Sequence, residues 1–224
     1  MIICKEIVKV FPDGSGCTST ILDCVNLEIK DGEFVALTGK SGSGKTTLLN
    51  IIGLLEDTTS GQVLIENQNW QEKTRKEQSL FRNQKIGYIF QSFYLENEYS
   101  VYKNVELPLI VAGVARKERK KRVMECLDKE GMLSKAKSKA KLLSGGEKQR
   151  ACIARAIVCN PEIILADEPC GNLDDANTTK IMELLVDLKN EKRTIIMVTH
   201  SMEDADYADR KIAMHGGKVY EENC

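Results

Sequence analysis

The chain has 224 residues, 42% of them hydrophobic, which suffices for one sizeable α/β core or two small ones. Its 32 Lys and Arg nearly balance its 33 Asp and Glu, so no large net field draws it to nucleic acid or an acidic membrane surface, and only local patches could do so. The eight cysteines include no CxxC pair and several sit in apolar runs, which reads as free thiols in a reducing cytosol.

In chain order, residues 2–10 alternate like a strand and lack the apolar core of a secretory signal, so the protein is expected not to be exported. Further strands are expected at 21–29 and 33–38, and at "VLIEN" near 63–67; a helical pattern occupies 45–55. "IGYIF" (86–90), "EIILAD" (162–167) and "TIIMVT" (194–199) look like buried strands separated by segments of helical period. Such alternation argues for an α/β fold with a mainly parallel sheet covered on both faces.

Between 93 and 141 the buried strands give way to charged helices such as "ARKERKKRVMECLDKEG", an inserted helical subdomain within a single domain spanning 1–224. Its basic run at 116–122 is read as a solvated helix face rather than a lipid or nucleic-acid patch. The longest apolar stretch, "LPLIVAGVA" at 107–115, is broken by Pro108 and Gly113. It falls short of the roughly 18 residues that span a bilayer.

The strongest local signal is Gly39-Lys40-Ser41-Gly42-Ser43-Gly44-Lys45-Thr46, a match to G-x-x-x-x-G-K-[ST]. In that motif backbone N–H groups wrap phosphates and the next helix presents its positive end. A flexible Gly/Ser turn would need neither the strand "EFVALT" before it nor the apolar helix "TTLLNIIGLL" after it. Lys45 should then bridge the β- and γ-phosphates and Thr46 offer its hydroxyl to Mg²⁺.

The same chemistry asks for a carboxylate at a neighbouring strand end, and "IILADEP" (163–169) supplies two. Successive strand residues point to opposite faces, so Asp167 is assigned to the metal and Glu168 to orienting or deprotonating the attacking water. Ligands of open parallel sheets lie beyond the carboxyl ends of the strands, which brings Gln91 and His200 toward the γ-phosphate.

"LSGGEKQR" places Ser144 three residues before Glu147, a capping-box pattern. Capping does not account for Gly145 and Gly146, each costing about 1 kcal/mol relative to alanine in a helix. Bare N–H groups at a helix N-terminus suit an anion that approaches the backbone closely.

Taken in order, "GKSGSGKTT", "LSGGEKQR", "IILADEP" and "VTHS" resemble the Walker A, signature, Walker B and switch-histidine motifs of ATP-binding-cassette ATPases, over essentially the whole chain. The resemblance implies a P-loop NTPase fold with an antiparallel N-terminal β subdomain beside the parallel core. It implies ATP and Mg²⁺, nucleotide contacts from Gly39, Ser41, Gly42, Ser43, Gly44, Lys45, Thr46 and Thr47, and a metal shell of Thr46, Gln91 and Asp167. It also implies a head-to-tail homodimer in which Ser144, Gly145 and Gly146 of one subunit close over ATP held by the other.

By the same likeness Gln91 is the Q-loop glutamine, and Asp174 in "GNLD" reaches across the dimer. Phe11 stands where an aromatic residue stacks on adenine, unless it is a core residue of its strand. Position 147 departs from the usual glutamine and Cys170 from the usual threonine; Cys170 would lie near the dimer interface, where its modification could interfere with closure.

"NVELPL" at 104–109 is similar to the subgroup serving lipoprotein release, macrolide export and antimicrobial-peptide transport. Such ATPases work on separate permease subunits at the cytoplasmic face of the membrane. The run 107–115 would lie near the docking surface or pack inside the subdomain. A soluble or regulatory cassette ATPase not engaged in transport is the alternative.

Overall fold

The computed structural model describes residues 1–12 and 17–221. Strands β1 (Ile2–Pro12), β2 (Thr18–Ile29), β4 (Ser60–Ile65) and β5 (Gln68–Asn69) form an antiparallel sheet in the order β2-β1-β4-β5. The core sheet runs β10-β9-β3-β8-β7-β6, from β3 (Phe34–Thr38), β6 (Ile86–Ile89), β7 (Ile163–Asp167), β8 (Thr194–Val198), β9 (Arg210–His215) and β10 (Lys218–Glu221). All its pairings are parallel except β9 with β10, so the expected architecture holds.

The β9–β10 hairpin was not among the expected strands. Its turn is Gly216-Gly217, both at positive φ, a geometry that glycine adopts without the Cβ clash other residues incur. The described residues form seven α-helices, α1 (Lys45–Ile52), α2 (Arg75–Lys85), α3 (Val101–Val111), α4 (Arg116–Lys129), α5 (Gly145–Ile157), α6 (Asp175–Asn190) and the short α7 (Met202–Ala205), and three single-turn 3-10 helices.

The uninterrupted apolar runs of the central strands have a direct cause in the layering. Val35 and Leu37 of β3, Leu165 of β7, and Ile196 and Val198 of β8 pack on one face with Leu48, Leu49 and Ile52 of α1 and the inner side of the antiparallel sheet. Phe34, Ala36, Ile164, Ala166, Ile195 and Met197 point the other way, onto Ile181, Met182 and Leu185 of α6. Both faces are covered, so alternation carries no polar residue. Gly53 marks how tight this is, since a Cβ there would lie 2.6 Å from the Tyr88 ring and 2.8 Å from Leu165.

A third cluster joins Val101, Val105 and Leu109 of α3 and Val123 and Leu127 of α4 to Leu143 and to Ala151, Ala154 and Val158 of α5. Helix α3 continues through Pro108 to Val111, turning Leu109 inward and leaving Leu107, Ile110 and Val111 exposed. The apolar stretch is therefore divided between internal packing and surface.

Glu130, at the end of α4, is only 5% exposed and its Oε2 has no hydrogen-bond partner among the described residues. Burial pushes its carboxyl from 4.5 up to about 7, against a partial offset from the Arg150 guanidinium. Between those values the folded chain holds a proton that the unfolded chain releases, so this contribution to stability is full below 4.5 and is lost as pH rises through about 7. Glu130→Gln is expected to flatten that part of the pH dependence and to raise stability at alkaline pH by about 1–3 kcal/mol. Thermal melts of both proteins across this range check it.

Candidate active site

The phosphate-type loop begins where β3 ends. Gly44, the N-cap of α1, sits at φ 100° and no side chain caps the helix, so its first N–H groups point into a cleft of about 550 Å³. Only glycine fits there, because a Cβ would meet Leu22 at 2.8 Å and the Ile21 carbonyl at 2.9 Å. Helices α2, α3, α5, α6 and α7 are capped by Thr74, Ser100, Ser144, Asp174 and Ser201, whereas α1, like α4, has no side-chain cap.

Lys45 is buried, and its Nζ donates to the Gly39 carbonyl at 2.7 Å and the Lys40 carbonyl at 3.0 Å, which holds the ammonium within the loop. Ser43 Oγ is buried with no partner among the described residues, a polar atom left for something the loop encloses. Thr46 Oγ1 donates to Asp167 Oδ1 at 3.1 Å, joining the start of α1 to the end of β7. Burial raises the Asp167 carboxyl above its ordinary range, with the Thr46 hydroxyl opposing the shift.

Glu168 departs from the strand geometry that separated it from Asp167. It lies past the end of β7 at φ 49°, in the left-handed region uncommon for a non-glycine residue, with its N–H bonded to the Val198 carbonyl at 2.9 Å. Its Oε2 is 2.6 Å from His200 Nδ1. An ionised carboxylate only accepts, so paired with ionised Glu168 Nδ1 carries the hydrogen. Two strand ends thus deliver one carboxylate–imidazole pair to the cleft.

The cleft lining includes Phe11, Ser41, Gly42, Gly44, Lys45, Thr46, Thr47, Gln91, Glu168 and His200. Gly39 and Ser43 belong to the same loop, and Asp167 joins through Thr46. The Gln91 carbonyl accepts from Asn172 Nδ2 at 3.1 Å, tying this turn to the one before α6. Phe11 is 36% exposed, so its ring is not a core residue of β1. Ile21 also lines the cleft, and no sequence signal marked it.

Ser144, Gly145, Gly146 and Asp174 do not line this cleft; they gather with one another elsewhere. The capping box forms, with Ser144 Oγ accepting from Glu147 N–H at 3.3 Å and Glu147 Oε2 accepting from Ser144 N–H at 2.9 Å. Glutamate at 147 also pairs with Lys135 at 3.0 Å, a contact that a glutamine would make without charge. Asp174 caps α6 through Asn177, whose amide N–H it accepts at 2.8 Å.

The two adjacent glycines differ in cause. A Cβ on Gly146 would meet Asn177 Oδ1 at 2.4 Å, so Gly146 is fixed by packing against α6 within the chain. A Cβ on Gly145 would make only ordinary contacts at 3.6 and 3.7 Å, so packing within the chain does not require glycine there. Cys170 is 5% exposed in the α6 layer, and burial pushes its thiol up to about 12. Burial in the folded chain leaves this thiol largely protonated and shielded from solvent. No disulfide forms among the described cysteines.

Another groove, of about 370 Å³, lies beside α2, β6 and α3, with Leu55, Arg82, Tyr88, Phe90, Tyr94 and Val111 in its lining. Tyr88 stacks on Phe90 at 4.4 Å and Phe90 meets Tyr94 edge-on at 5.2 Å, so the groove adjoins the turn that carries Gln91.

The sequence matches the model of the ABC transporter family over residues 22–171. The lipoprotein-releasing system ATP-binding protein LolD of Pseudoalteromonas translucida is 41% identical over 220 residues, covering 98% of this chain and 94% of LolD. The macrolide export ATP-binding/permease protein MacB of Bartonella henselae is 42% identical over 223 residues, covering 100% of this chain and 34% of MacB. A solved dimeric structure of MJ0796, a bacterial ABC transporter cassette, matches with a TM-score of 0.92 at 42% identity, covering 100% of this chain and 98% of that one. The family match and the near full-length likeness to these cassettes agree with the geometry of loop, carboxylates and histidine: the chain belongs to the ABC transporter family, as its ATP-binding cassette.

Proposed function

We propose that the chain hydrolyses ATP as the nucleotide-binding subunit of an exporter-type transporter, working as a head-to-tail homodimer on separate membrane permease subunits. The observation that carries this is the Glu168–His200 pair at 2.6 Å in the cleft that receives the uncapped end of α1. Lys45 and the α1 N–H groups bind and orient the phosphates, Glu168 takes the proton of the attacking water, and His200 holds the carboxylate in place. Ser144, whose hydroxyl is held by the Glu147 carboxylate in the single chain, is assigned with Gly145 and Gly146 to phosphate oxygen presented by a second subunit.

Mg²⁺ fits the donor set, since the Thr46 hydroxyl and Asp167 carboxylate are hard oxygen ligands 3.1 Å apart and Gln91 lines the same cleft. Bound there, it would supply charge neutralisation for the phosphates. Asp174, capping α6 close to Gly146, is assigned to the subunit interface, and Phe11 to the nucleobase.

No helix among the described residues is long and apolar enough to cross a membrane, which suits a peripheral subunit on the cytoplasmic face. The groove bounded by Tyr94 and Val111, both well exposed, is the surface assigned to the permease. Likeness to LolD and MacB favours export of a lipoprotein, peptide or drug-like molecule. Val111→Glu is expected to leave ATP hydrolysis by the purified chain unchanged while cutting its retention by the cognate permease in detergent at least about tenfold, through a charge buried in an apolar contact. Retention equal to wild type would remove the groove from the interface.

A further inference from the structure

Residues Lys9 and Phe11 lie two apart on β1, and their side chains meet although the pairing with β2 shifts register between Lys9 and Val10. Lys9 is 8% exposed, and its Nζ donates to Glu56 Oε1 at 2.5 Å and to the Asp57 carbonyl at 2.8 Å. The same Nζ lies 4.6 Å from the centroid of the Phe11 ring, inside the range of about 6 Å over which a cation is drawn to an aromatic face. The turn holding Lys9 is itself tied to β1, with Thr59 N–H donating to the Val8 carbonyl at 2.8 Å and Val10 N–H to Thr59 Oγ1 at 3.0 Å. The ammonium is therefore fixed from three sides, and the ring beside it is fixed in turn.

An aromatic ring has two faces, and Lys9 occupies one. Phe11 nevertheless remains 36% exposed and lines the cleft. A charge placed merely to be solvated would not be buried against a ring, and a ring placed merely to be buried would not reach the cleft.

We propose that Lys9 is a positioning residue for nucleobase recognition: by pinning one face of Phe11 it orders the ring before ATP arrives and presents the other face to the purine. Stacking then costs little side-chain freedom, because the ring has already lost it. This rests on Phe11 contacting the base, and the test separates the two claims.

The probes are ATP and inorganic tripolyphosphate, which carries the phosphates without a base, titrated into the full chain. Lys9→Gln, which keeps a hydrogen-bonding group and removes the cation, is expected to raise the Kd for ATP roughly three- to tenfold. The Kd for tripolyphosphate should not change, and in a Phe11→Ala background Lys9→Gln should add nothing. Equal weakening of both probes would overturn the proposal, since Lys9 would then be supporting the phosphate loop or its charge. Weaker ATP binding in Phe11→Ala but not in Lys9→Gln would also overturn it while leaving the base contact standing. No change in either variant would remove the base contact itself, and the proposal with it. Lys9→Met, read in the same way, covers the case in which the glutamine variant does not fold; Lys9→Arg should restore ATP binding.

Discussion

Glu168→Gln is expected to lower ATP turnover at least about a hundredfold while leaving the fold and ATP binding intact, because the amide keeps the shape of the carboxylate but cannot accept the proton of the attacking water. The structure makes this a clean substitution. Glu168 is placed by its own backbone, with its N–H on the Val198 carbonyl at 2.9 Å, and its side chain meets His200 at 2.6 Å without a structural salt bridge to lose elsewhere. Turnover is read by phosphate release at saturating ATP, and binding by titration. With closure retained and hydrolysis stopped, the variant should accumulate as an ATP-bound dimer in size-exclusion chromatography. Phosphate release at the wild-type rate would remove Glu168 from the reaction and leave the carboxylate–imidazole pair without a catalytic part.

Ser144→Arg should spare ATP binding by the single chain and abolish turnover. Ser144 is absent from the cleft that holds the phosphate loop, so an added guanidinium cannot displace nucleotide bound there. It does stand at the start of α5, where the proposed dimer brings the second subunit's ATP, and an arginine would occupy that space. The substitution also removes the N-cap, at about 1 kcal/mol, which a domain of ordinary stability tolerates. Ser144→Asp separates the two effects, since aspartate caps a helix as well as serine but sets a negative charge against the phosphates. Both variants should melt cooperatively, bind ATP with wild-type Kd and release no phosphate. Full turnover by either would mean that each chain completes its own site.

What the sequence made legible was whatever one short segment encodes by itself. The phosphate loop follows from the spacing of Gly39, Gly44, Lys45 and Thr46, and the buried strands from runs such as 162–167, because both are local patterns. The β9–β10 hairpin had a local signal too, in the paired Gly216 and Gly217, and could have been found. Other features depend on contacts between distant residues. Gly146 is glycine because Asn177 is there; Glu147 pairs with Lys135; Cys170 is buried against α6. Glu168 was separated from Asp167 by strand alternation, yet the chain leaves the strand at Asp167, and a left-handed residue aims the second carboxylate. The two side chains still meet different partners, Thr46 and His200, for a reason other than the pleat. Lys9 gave no signal, since its hydrogen-bond partners lie 47 and 48 residues away.

Helix α1 begins on a glycine with no side chain to finish it. The substrate's phosphates are the group chemically suited to complete that turn, which makes ATP part of the folding equilibrium as well as the reactant. At a concentration a hundred times its Kd, a ligand confined to the native state adds about 2.7 kcal/mol of stability. The cassette's resistance to heat and to proteases is therefore expected to rise with the concentration of nucleotide around it.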